Sequence, residues 1–141
     1  MYRTLTPTGE EIQGLPPAAT GGKVVIVGRP RVGKSFLAGF IAGDREIVHT
    51  DNWIKSHSFE QVPYSITNEL EVLEDWVLEG VQAVRCMSVA GLKPDMILVI
   101  ECPDIYLESQ HKALASMVRR SISELVEREE YRDLMYYVRR E

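Results

Sequence analysis

The chain has 141 residues, a net charge of −5 and a hydrophobic fraction of 45% against 26% charged, the proportions of a single globular domain with one core. Its apolar runs are too short for a bilayer, and an isoelectric point near 5.3 disfavours a broad footprint on nucleic-acid phosphates. No basic, apolar and small-residue leader pattern opens the sequence, so the expected compartment is the cytoplasm. Cys86 and Cys102 lack CxxC or His-ligand spacing and are expected as buried free thiols.

Residues 1–22 carry three prolines and four glycines and read as a flexible lead-in to a domain over 23–141. KVVIV, residues 23–27, is a continuous apolar, β-branched run, which suits a strand buried on both faces of a parallel sheet. GRPRVGKS follows directly, and SFLAGFIAG then places Phe36, Leu37, Phe40 and Ile41 at helical spacing, with Gly43 as a stop. Further strands are expected at REIVHT, DWVLEG and DMILVIE, with helices at SITNELEVLE and VQAVRCMSVAG between them. Strand and helix alternate, which predicts an α/β fold of three layers, with a small parallel sheet of about four strands between helices. From about Asp104 onward Leu107, Leu114, Met117, Val118, Ile122, Leu125 and Val126 recur at helical spacing, and LMYYV is the only candidate there for a late strand.

Residues 28–35 fit G-x-x-x-x-G-K-[ST] between a strand and a helix. Glycines allow backbone N–H groups to close around phosphates, the lysine reaches the β- and γ-phosphates and the hydroxyl ligates Mg²⁺. Gly28, Arg29, Pro30, Arg31, Val32, Gly33, Lys34, Ser35 and Phe36 are therefore the expected contacts of a bound nucleoside triphosphate. The helix dipole adds a favourable field at that point.

Phosphoryl transfer also asks for an acid near the transferring group and often an arginine. Asp51, Glu79 and Glu101 all end expected strands, where ligands of open α/β sheets lie. Asp51 in HTDNW suits a base for an acceptor hydroxyl, or alternatively a helix cap. Glu79 and Glu101 are equal candidates for the acid beside Mg²⁺. Arg119 and Arg120 suit a lid over the nucleotide, with a solvated helix face as the alternative. Trp53 and Phe59 offer walls for an acceptor pocket, while His49, His57 and His111 read as surface or partly packed residues.

VVIVGRPRVGKS, HTDNW, WVLEGVQAV and ILVIECP together resemble the small P-loop kinases, the uridine-kinase-like, shikimate-kinase-like and nucleotide-kinase-like branch of the P-loop NTPases. The resemblance covers residues 23 to about 125. It implies ATP or another nucleoside triphosphate with Mg²⁺, an acceptor-side acid at Asp51, a lid with Arg119 and Arg120, and Glu79 rather than Glu101 beside Ser35 at the metal. A nucleoside, nucleotide or other small metabolite is the implied acceptor. The resemblance does not extend to a fifth strand and base-contacting loop, so a partner protein or second copy that completes the site is an expectation too. A nucleotide hydrolase or switch acting with a protein or nucleic-acid partner is the alternative function.

Overall fold

The computed structural model describes residues 2–29, 33–54, 56–101 and 112–140. Five strands run parallel: β3 (Lys23–Val27), β4 (Ile47–His49), β5 (Trp76–Glu79), β6 (Met96–Glu101) and β7 (Met135–Arg140). Their spatial order is β4-β5-β3-β6-β7. Two shorter strands, β1 (Tyr2–Leu5) and β2 (Glu11–Gln13), form an antiparallel hairpin that continues the sheet beyond β7.

This sheet of seven strands corrects two expectations. Residues 1–22 are not a loose lead-in: Tyr2–Leu5 pairs along β7, and Thr4 is buried with its hydroxyl donating to the Gly14 carbonyl at 2.7 Å. A short turn with Gly9 at φ 89° reverses the hairpin. The sheet also has five parallel strands rather than about four, because MYYVRR, rich in β-branched and aromatic residues, pairs with β6 from Ile97↔Met135 to Glu101↔Arg139.

Each strand of the KVVIV type buries alternate side chains on opposite faces, so the sheet feeds two cores. On one face Val24, Ile26, Val77, Leu98 and Ile100 pack on Leu37, Ala38 and Ile41 of helix α1 (Lys34–Ile41). On the other, Val25, Val27, Leu78, Ile97 and Val99 meet Ile66 and Leu70 of α3 (Val62–Glu71), Cys86 and Met87 of α4 (Ala83–Ser88), and Leu125 of α5 (Lys112–Val126). Each such aliphatic side chain contributes on the order of 2 kcal/mol by leaving water. Two one-turn helices, α2 (Asp51–Ile54) and α6 (Glu129–Arg132), complete the set. Of the apolar residues expected on α1, Leu37 and Ile41 face the sheet, whereas Phe36 and Phe40 are exposed. No helix of the described residues is long and apolar enough to cross a membrane.

The order of strands determines where a ligand can sit. From β3 the chain passes to β4 and β5 on one side and later to β6 and β7 on the other. Connections diverge at the carboxyl end of β3, and such a divergence opens a crevice there.

Candidate functional site

At that crevice lies the turn from β3 into α1. Gly33 has a φ of 97°, a left-handed conformation that side chains rarely adopt, and it reverses the chain into the helix. Lys34 is the first helical residue and is 7% exposed. Its ammonium turns back on the loop, donating to the carbonyls of Arg29 at 2.7 Å and Gly28 at 3.1 Å. Burial pulls the Lys34 pKa below its ordinary value; the carboxylates of Glu79 and Asp51 oppose that shift, and Arg29 adds to it. The ammonium thus lies in the field of two acids.

Those acids are brought together by the ends of β4 and β5. The Thr50 N–H donates to the Glu79 carbonyl at 3.0 Å, and the Gln82 N–H donates to the Thr50 hydroxyl at 3.4 Å. Gly80 permits this approach: its φ is 131°, and a Cβ there would come 1.9 Å from Thr50 Oγ1. Asp51 follows at the start of α2 and is exposed, while Glu79 is 4% exposed. One carboxylate oxygen of Glu79, Oε1, receives the Ser35 hydroxyl at 3.1 Å and lies 2.6 Å from His49 Nδ1. An ionised carboxylate only accepts, so this pairing assigns the proton to His49 Nδ1.

Both β5 and β6 flank β3, so strand order alone does not separate Glu79 from Glu101. Their contacts do. Glu79 meets Ser35, whereas Glu101 is half exposed and lies 3.8 Å from the Arg139 guanidinium on β7. Among the described residues no group of three or more His, Cys, Asp or Glu side chains converges as a metal site. A hydroxyl on a buried carboxylate is nevertheless a fitting arrangement for Mg²⁺, which takes few protein ligands and fills its shell with water and phosphate oxygens.

On the other side of the loop, a cavity of about 360 Å³ opens between the ends of β3, β6 and β7 and helix α5. Val99, Val118, Ile122 and Tyr137 supply apolar lining, and Arg29, Arg119 and Glu101 supply charge. Arg29 is 6% exposed, so part of that charge is held inside the protein. The loop therefore separates an acidic flank, with Asp51 and Glu79, from a flank carrying two arginines. Arg120, the next residue of α5, is exposed and does not line this cavity. Phe36 projects from α1 at 62% exposure. Pro30, Arg31, Val32 and His111 lie outside the described residues.

Trp53 packs against the larger core and meets His57 in a tilted ring contact with centroids 5.0 Å apart, while Phe59 is exposed beneath the Arg85 guanidinium at 3.8 Å. The two aromatics therefore belong to packing and to the surface rather than to one shared wall. Sequence reasoning missed His49 and Tyr137. The signal for His49 was its position two residues before Asp51 at a strand end; for Tyr137 it was LMYYV, the candidate late strand, whose place in the sheet the sequence left open.

No protein-family model and no curated protein matches the chain by sequence.

Proposed function

We propose that the chain has a P-loop NTPase fold and binds a nucleoside triphosphate with Mg²⁺, acting as a small kinase that transfers the γ-phosphoryl group of ATP to a nucleoside, nucleotide or other small metabolite. The observation that carries this reading is the contact of Ser35 with the buried carboxylate of Glu79, beside Lys34, at the carboxyl end of β3. A structural turn needs no buried acid on its hydroxyl, and burying a carboxylate is costly unless it is partnered or functional. The five parallel strands and their order support the resemblance seen in the sequence, and β7 falls on LMYYV, the candidate late strand.

In this reading the backbone N–H groups of the loop over 28–35, Pro30 having none to give, hold the phosphates, and Lys34 leaves the loop carbonyls to pair with the β- and γ-oxygens. Ser35 and Glu79 are the residues that would hold Mg²⁺. The metal would supply neutralisation of charge on the β- and γ-phosphates. Asp51 orients the acceptor hydroxyl and takes its proton as the new O–P bond forms and the β–γ bridge breaks, releasing ADP. Arg119 faces the opposite side, where the cavity has the size of a nucleoside pocket.

Asp51→Asn separates binding from chemistry. Transfer should fall by about 10²-fold or more with ATP affinity within about two-fold of the parent. Unchanged transfer would remove Asp51 from the reaction, and loss of ATP binding would give it a structural role instead.

A further inference from the structure

We infer that His49 is a positioning residue for the metal side of the site: its Nδ1–H holds the Glu79 carboxylate against the Ser35 hydroxyl, and so sets how tightly Mg²⁺ is taken up with nucleotide. The inference rests on the nucleotide-binding reading above. His49 ends β4, directly opposite Glu79 in the β4–β5 register, so the two strand ends deliver both side chains to the same place. The separation of 2.6 Å is the shorter of the two hydrogen bonds of Glu79 to described side chains, and both donors converge on one oxygen, Oε1. A carboxylate tied by two donors from two different elements, α1 and β4, loses most of its rotational freedom. A side chain of this length otherwise loses rotamer entropy when a ligand fixes it.

The arrangement has the form in which outer partners orient a metal-site group and tune its affinity. His49 touches neither phosphate nor acceptor in this scheme; it acts through Glu79. Its ring is partly exposed, with the side chain at 38% exposure, so its removal opens no hole in either core. This separates a positioning role from a packing role. Thr50, its neighbour, is fully buried and holds the β4–β5 junction independently.

The test titrates a fluorescent ATP analogue against the full chain at a series of Mg²⁺ concentrations and in EDTA, for the parent protein, His49→Leu and His49→Asn. Asn retains an N–H donor near the position of Nδ1. The expected result is a rise of about ten-fold in the Mg²⁺ concentration that half-saturates nucleotide binding for His49→Leu. Affinity in EDTA should stay at the parent level, and His49→Asn should recover most of the loss. Parent-like Mg²⁺ dependence in both variants overturns the inference. So does an equal loss in both variants with a matching loss in EDTA, which denotes packing. Failure of the parent protein to bind the analogue at any Mg²⁺ concentration would instead reject the nucleotide reading itself.

Discussion

Ser35 and Glu79 stand 44 positions apart in the chain and meet at 3.1 Å, hydroxyl on carboxylate, at the junction of α1 and β5. Two sequence features place them there: Gly33, which turns the chain into the helix that begins with Lys34, and Gly80, whose missing side chain lets β5 end against Thr50. Glu79→Gln keeps an oxygen able to accept both hydrogen bonds and removes only the charge. It should abolish the Mg²⁺-dependent tightening of ATP binding, a loss of about ten-fold or more, with an unchanged circular dichroism spectrum. Full Mg²⁺ dependence in the variant would move the metal elsewhere.

The cavity beside Arg29 and Arg119 makes a different demand. Ile122→Trp fills it from α5. If the base and ribose of the nucleotide lie there, ATP affinity should fall by about ten-fold, while inorganic tripolyphosphate, which has no base, should bind as before. Equal affinities of parent and variant for ATP would place the base outside the cavity.

Arg45 shows how the rear of α1 is fixed. The side chain is 7% exposed and donates to five carbonyls: Ala19, Gly21 and Gly22 before β3, and Ile41 and Ala42 at the end of α1. A cation also suits a helix carboxyl end. Arg45→Met matches its length and leaves several of these acceptors unpaired. The expected loss is about 3 kcal/mol, or a fall in Tm of roughly 10 °C. A loss below about 1 kcal/mol by urea denaturation would show that water replaces the clamp.

Cys86 gives the fold a pH signature. Burial pushes its thiol from 9.0 to about 12, so the folded state keeps a proton that the unfolded chain releases above pH 9. This contribution is intact below pH 9 and is lost as pH rises toward 12; near pH 10.5 it amounts to about 2 kcal/mol. Lys34 acts in the opposite sense, since its lowered pKa makes the unfolded chain the better proton binder in the alkaline range, and stability then gains with pH. The difference between parent and Cys86→Ala isolates the thiol: the destabilisation caused by the variant should shrink between pH 8 and about pH 10.5. A constant difference would mean that the thiol ionises normally in the fold.

The parallel strands were legible in the sequence where a local pattern sufficed. KVVIV after its lysine and MILVIE before its glutamate are apolar because both faces are covered, and GRPRVGKS carries the helix start at Gly33 and Lys34 in its own residues. The hairpin over Tyr2–Gln13 was not legible, since what orders it is pairing with residues some 135 positions away, and its own composition is that of a loop. β7 was legible only as a candidate, LMYYV, for a related reason. The charged run before it, EREEYRD, extends a helical pattern into MYYVRR, and only the open edge of β6 selects a strand. At the site, Lys34, Ser35 and Asp51 followed from motif and strand end. The residue pattern left Glu79 and Glu101 equal, with only the family resemblance favouring Glu79, and gave His49 no role, because both questions turn on which side chains face each other across neighbouring strands.

The most direct test is phosphorus NMR of the protein with ATP and Mg²⁺, with and without a pool of nucleosides, nucleotides and small hydroxy metabolites, and with Lys34→Ala as control. A small-molecule kinase predicts a new phosphorylated species that appears with ADP only in the presence of the pool and is absent with Lys34→Ala. Orthophosphate released equally with and without the pool would contradict transfer and make the protein a hydrolase, and ATP left intact in every sample would contradict both.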